Sequence, residues 1–214
     1  MFIAAALAVT VGLTTASCSD DGTPTVADTP SAAPPSAAGP VMTAEEAYQK
    51  LPMDGTKDLP ITWEPSGAPE TDEVLAARRA LVLHYWLFQA TDWPPIIQVG
   101  RQLYSDRYYQ KLLAPYADPK PVDNPSVGPI WIKYMGSEPA GSGKVMVTFC
   151  ADLGYWHGAK ETGAKVREER AILESYLMEQ TPDQRWVADG RLDNHVDLEP
   201  KYGDDCAEFA KHKP

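Results

Sequence analysis

The chain has 214 residues, a formal net charge of −11, twenty prolines and three cysteines, with 43% hydrophobic and 23% charged residues. That apolar content can build the core of one domain and excludes a wholly disordered chain. The acidic balance, with no clustered run of Lys and Arg, excludes a nucleic-acid-wrapping protein, and no motif names a reaction or calls for a cofactor.

Residues 2–17 carry no charged side chain, and residues 2–13 form an apolar run about as long as a signal-peptide core. It is too short to span a bilayer, which takes about 20 residues. The run ends in Leu13-Thr14-Thr15-Ala16-Ser17-Cys18. Small residues leading into a cysteine resemble the lipobox of bacterial lipoproteins. The resemblance implies removal of residues 1–17, a thioether-linked diacylglycerol on Cys18, and a lipid-anchored protein on the extracytoplasmic face of the bacterial cell membrane. Thr15 stands where leucine is commonest, and no Lys or Arg precedes the apolar run, which implies a translation start upstream of Met1. A plain secretory signal with an incidental cysteine is the alternative. Residues 19–40 are almost wholly Ser, Asp, Gly, Thr, Pro, Ala and Val, so residues 18–40 read as a lipidated cysteine on a solvated tether. Acyl chains at about 0.8 kcal/mol per buried methylene would hold such a tether at a membrane. With Cys18 lipidated, Cys150 and Cys206 remain as an even pair outside the cytoplasm, and a disulfide between them is expected. It would enclose 55 residues, for which chain entropy suggests about 4 kcal/mol of stabilisation.

In residues 41–69, Thr43 followed by Glu46 predicts a capped short helix, and Pro52, Gly55, Pro60, Pro65 and Pro69 interrupt the chain after it. Ile61 and Trp63 alternate with polar neighbours, as in an extended strap on the domain surface. The main domain is expected over residues 70–206, with a tail at 207–214. Its strongest helix is predicted over residues 72–91, from a capping Thr71 to the stop at Pro94-Pro95, with Val74, Leu81, Tyr85 and Phe88 at helical spacing. A second helical stretch, residues 96–113, is broken near Ser105-Asp106. Five prolines in residues 115–129 predict an irregular crossing. The period then changes from 3.6 to 2: residues 130–135, 144–152 and 186–192 read as strands, with a loop at 136–143. Residues 166–180 fit a helix by propensity, but the turn Thr181-Pro182-Asp183-Gln184 leads into a strand, so a hairpin strand is expected.

Helix, shorter helix, irregular crossing and antiparallel strands, in this order, resemble the nuclear transport factor 2-like, cystatin-like fold. The resemblance is carried by Glu73-Val74-Leu75-Ala76-Ala77-Arg78-Arg79-Ala80-Leu81-Val82-Leu83-His84-Tyr85-Trp86, by Val147-Thr148-Phe149-Cys150-Ala151-Asp152, by Asp183-Gln184-Arg185-Trp186-Val187 and by Cys206. It implies an α+β, cone-shaped domain in which a curved antiparallel sheet of about four strands wraps a long N-terminal helix. In the SnoaL-like cyclases of this class the cone holds an Asp or His base. Here that role falls to His84 or Asp92, with Tyr85 and Tyr134 as hydrogen-bond donors; a core histidine bonded to a carbonyl is the alternative for His84. Asp193, His195 and Asp197 alternate on one side of an extended segment and could ligate zinc or calcium with His157 or Asp152, or else form a solvated acidic loop. Gly141-Ser142-Gly143-Lys144 reads as a hairpin turn. Trp93, Tyr104, Tyr108, Tyr109, Tyr116, Tyr155 and Trp156 either line a sugar or aromatic pocket or seal the cone. The resulting expectation is a non-catalytic binding or protein-interaction module of the envelope, whose partner is the membrane through Cys18 and an envelope protein or small apolar ligand. A cofactor-free SnoaL-like enzyme and an accessory subunit of a secretion or cell-wall assembly are the alternatives.

Overall fold

In the computed structural model, which describes residues 42–65, 67–116, 123–161, 170–193 and 196–211, Thr43 caps the first helix, α1 (Ala44–Lys50). The Glu46 N–H donates to the Thr43 hydroxyl at 3.2 Å, and the Thr43 N–H donates to the Glu46 carboxylate at 2.8 Å. The capping box thereby satisfies two of the four donors a helix start leaves open.

Residues 61–63 are not a surface strap. They form β1 (Ile61–Trp63), which pairs in parallel with the edge of β3 (Ile130–Pro139), Ile61 opposite Ile130. Flanking bonds from the Ile130 N–H to the Pro60 carbonyl and from the Glu64 N–H to the Ile132 carbonyl extend the pairing. Buried backbone groups need partners, and the edge of β3 supplies them.

Helix α2 (Asp72–Gln89) stops two residues before the expected Thr91. Ala76, Ala77, Ala80, Leu81, Val82 and Leu83 are all buried, so its middle is covered on most sides. The predicted break in the next stretch separates α3 (Pro94–Leu103) from α4 (Asp106–Leu112). Its cause is tertiary as well as local: the Ser105 N–H donates to the Ala188 carbonyl at 2.9 Å, while the Ser105 hydroxyl accepts from the Tyr108 N–H at 3.1 Å and caps α4.

Two short strands, β2 (Ser126–Val127) and β5 (His157–Gly158), pair with each other. The main sheet adds β4 (Val145–Asp152), β6 (Ala171–Gln180) and β7 (Trp186–Asp193), in the order β1-β3-β4-β6-β7. The fold is α+β with a mixed, unclosed five-stranded sheet. The expectation of about four antiparallel strands omits the parallel β1. The loop expected from residue 136 begins only after Pro139, because a bulge between Tyr134 and Gly136 lets β3 keep pairing with β4. The turn after Pro139 has positive φ at Gly141, Ser142 and Gly143, and its Lys144 N–H donates to the Gly141 carbonyl. Helix propensity loses at residues 171–180, where β4 and β7 offer ladders on both sides; residues 166–169 lie outside the described residues.

The sheet has two covered faces. Val147, Phe149, Ala151, Tyr176, Met178 and Ala188 join α2 and α3 in the main core. On the other face, Cys150 and Leu173 pack with Leu198 and with Tyr202 and Cys206 of the helix that Leu198 leads into, α5 (Glu199–Phe209), which the residue pattern does not predict. The expected tail from residue 207 therefore begins within a helix. Pro200, Gly203 and four carboxylates obscure its apolar points, which have meaning only once a sheet lies beneath them. Cys150 and Cys206 form a disulfide, S–S 1.97 Å, with Cα atoms 5.4 Å apart.

Candidate functional site

The antiparallel register of β6 and β7 sets Glu174 opposite Asp193 and Tyr176 opposite Arg191, and these side chains meet His84 and Tyr85 of α2. Glu174 is fully buried. Its carboxylate accepts a hydrogen bond from the Tyr85 hydroxyl and a longer one, 3.4 Å, from the Tyr176 hydroxyl. The Arg191 Nε lies 3.3 Å from Glu174 Oε2, too poorly aligned for a hydrogen bond but close enough for an ion pair. The Arg191 Nη2 pairs with Asp193 at 2.9 Å, and its Nη1 lies 3.4 Å from the Nδ1 of His84. An arginine can only donate, so Nδ1 is the acceptor and the imidazole proton belongs on Nε2.

The electrostatics depend on depth. Burial holds the His84 imidazole well below its usual 6.5, and the charge of Arg191 adds to that, so His84 is neutral at pH 7. Burial raises the Glu174 carboxyl against the opposing pull of Arg191 and of the Tyr85 hydrogen bond. Burial, reinforced by the Glu174 charge, drives Tyr85 and Tyr176 well above 10. For Arg191 burial works against the charge, but Glu174, Tyr176, Asp193 and Tyr85 together outweigh it and the guanidinium stays protonated. The arrangement is a buried acid–base lock that ties α2 to β6 and β7. Phe149 and Tyr176, both fully buried with rings 6.4 Å apart, pack the interior beside it.

Of the candidate acid–base residues, only His84 and Tyr85 come together. Asp92 is exposed and lines a separate cleft of about 580 Å³ with Asp58, Trp86, Gln89 and Pro125. Tyr134 shares a hydrogen bond with Ser137 at 2.9 Å. Glu174 and Arg191 are not among the residues expected from sequence, although the alternation Ile172, Glu174, Tyr176 places a carboxylate on an inward face, the one available signal.

A second polar cluster centres on Asp189, which is buried. Its carboxylate accepts from the Ser105 hydroxyl at 2.5 Å and from the Arg107 Nε at 3.2 Å, and it pairs with the Lys144 Nζ at 2.5 Å. Lys144 also pairs with Glu179 at 2.9 Å. Burial pushes the Asp189 carboxyl up, but the bonds from Arg107, Lys144 and Ser105 outweigh it and bring the pKa down to about 2. The cluster floors a cleft of about 560 Å³ that Arg101, Gln102, Asp183 and Arg185 also line.

The expected metal ligands are occupied otherwise or lie outside the described residues. Asp193 holds Arg191, and His195 is not among the described residues. Asp152 accepts from the Gly154 N–H at 2.9 Å, and the Nδ1 of His157 lies 2.7 Å from the Tyr155 carbonyl. Asp197 also has an interaction partner. Among the described residues no group of three His, Cys, Asp or Glu could hold a metal ion. Tyr104, Tyr108 and Tyr109 belong to the main core, whereas Trp93 packs edge-on against the exposed Tyr116 at 4.8 Å. Cys18 lies outside the described residues, among which no helix is long and apolar enough to cross a membrane. Comparison of the chain with protein-family models, curated proteins and solved structures returns no match.

Proposed function

We propose that this chain is a lipoprotein anchored through Cys18 to the extracytoplasmic face of a bacterial membrane, carrying a nuclear transport factor 2-like domain that serves as a non-catalytic binding or protein-interaction module. The observation that carries the anchoring is the disulfide: Cys150 and Cys206 use each other, which leaves Cys18, in its lipobox-like setting, as the one remaining thiol. The non-catalytic part is supported by the polar groups beneath α2, which bond one another. The Nδ1 of His84 faces Arg191, and Glu174 is held by Tyr85 and Arg191 with no exposure to solvent. A general base needs a free lone pair within reach of a substrate proton.

The test is expression in a bacterial host that processes lipoproteins. Mass spectrometry is expected to find a diacylglyceryl group on Cys18 after loss of residues 1–17, and Cys18→Ala to shift the protein from the membrane to the soluble fraction. An unprocessed N-terminus or an unmodified Cys18 would overturn the anchor. Turnover of a small carbon acid that His84→Ala abolishes would overturn the non-catalytic reading.

A further inference from the structure

Helix α5 is poorly equipped to stand alone. It has 11 residues, no side-chain cap at its start, Gly203 in its interior, and Asp204, Asp205 and Glu208 toward the end where the helix dipole favours cations. Tertiary attachment must hold it. Leu198, Tyr202 and Cys206 are its buried anchors, and they share a small cluster with Cys150 and Leu173 that is separate from the main core. The Tyr202 hydroxyl donates to Glu138 at 2.9 Å and sits so close over Gly136 that a Cβ there would lie 2.3 Å from it. The covalent fastener is the Cys150–Cys206 bond, which joins the last turns of α5 to the middle of β4. Under the helix lie Met146, Leu173 and a fully buried Thr148–Ser175 hydroxyl pair, 2.9 Å apart.

We propose that α5 is a redox-released strap: cleavage of Cys150–Cys206 by a protein dithiol frees the helix from the outer face of the sheet while the α2-facing core stays folded. A thiolate of the reductant attacks one sulfur to form a mixed disulfide, and its second thiol resolves that bond. Two electrons and two protons pass to Cys150 and Cys206, which become thiols, and the reductant leaves as a disulfide. Both sulfurs are buried, so attack requires a partial opening of α5 of the kind that separates weakly held units from a stable core. The main core does not need the strap, since α2, α3 and the inner sheet face bury one another without it.

Amide hydrogen exchange on the full chain, read by peptide mass spectrometry, tests this. After treatment with reduced thioredoxin as the dithiol, and with alkylation confirming thiols at Cys150 and Cys206, exchange over residues 199–209 is expected to rise by about tenfold or more. Residues 80–85 of α2 and 147–149 of β4 keep their protection. The double variant Cys150→Ala, Cys206→Ala reproduces the pattern without reductant. The proposal is overturned if α5 stays protected in either form, if α2 and β4 lose protection together with it, or if the bond resists the dithiol in the folded protein. None of these outcomes depends on lipidation of Cys18.

Discussion

Asp189 and Glu174 show how buried carboxylates behave in two settings. Asp189 receives a hydroxyl and two cations, whereas Glu174 has one cation, imperfectly aligned, and two tyrosines. Their acidities move in opposite directions for that reason: Asp189 falls to about 2, and Glu174 rises. A carboxyl held below its ordinary 3.8 binds fewer protons folded than unfolded, so its contribution to stability is present above about pH 4 and is lost as pH falls toward 2. Asp189→Ala leaves the Ser105 hydroxyl, Arg107 and Lys144 without their shared acceptor and is expected to cost about 2–3 kcal/mol at pH 7. Urea unfolding of wild type and variant at pH 7, 4 and 2 checks it, the gap between them closing at the lowest pH. An unchanged gap would remove the ion pairs as its source.

At the scale of elements, packing overrides intrinsic preference. Gly100 lies inside α3, where alanine normally stabilises a helix by up to about 1 kcal/mol. Here a Cβ would meet the Leu113 Cδ1 at 2.1 Å and the Leu83 Cδ2 at 3.3 Å. The glycine lets α3 approach α2 and the end of α4. Gly100→Ala is therefore expected to destabilise by about 1–3 kcal/mol, reversing the helix-propensity sign, and a thermal melt decides between the two. The same conflict explains residues 171–180, whose Leu, Glu and Met favour a helix, yet which lie between two partner strands. It explains α5 as well, whose weak helical signal is rescued by the sheet face beneath it.

For the whole molecule, the acidic balance divides in two. Residues 1–69 carry −6 and residues 70–214 carry −5, so the excess charge density lies ahead of the domain and speaks to solubility more than to a substrate. Residues 40–214 cluster as one unit, with contacts running from α1 to α3 and from β1 through the sheet to α5. A chain starting at Pro40 is expected to unfold in a single cooperative transition, with calorimetric and van't Hoff enthalpies equal, when the disulfide is intact. Two resolved transitions would show that α1 or the β1 segment is an independent appendage.

Features that depend on near neighbours in the chain were legible from the residues alone. Thr43 and Glu46 specified a capped helix, Ser105 divided α3 from α4, and the glycines at 141 and 143 specified a turn, because caps and positive φ act within a few residues. Pro94-Pro95, expected to stop α2, instead open α3 after α2 has already ended at Gln89. Alternating side chains in β4 and β7 were legible for the same reason. Long-range packing was needed to bring residues 61–63 into the sheet, to carry β3 past Tyr134, to lay α5 over the outer face, and to bring Glu174 and Arg191 to His84. Apart from the β3–β4 hairpin, whose register rests on the bulge after Tyr134, each of these is a pairing across tens of residues, and its free energy comes from burying groups that carry no mark of their partner in the local sequence.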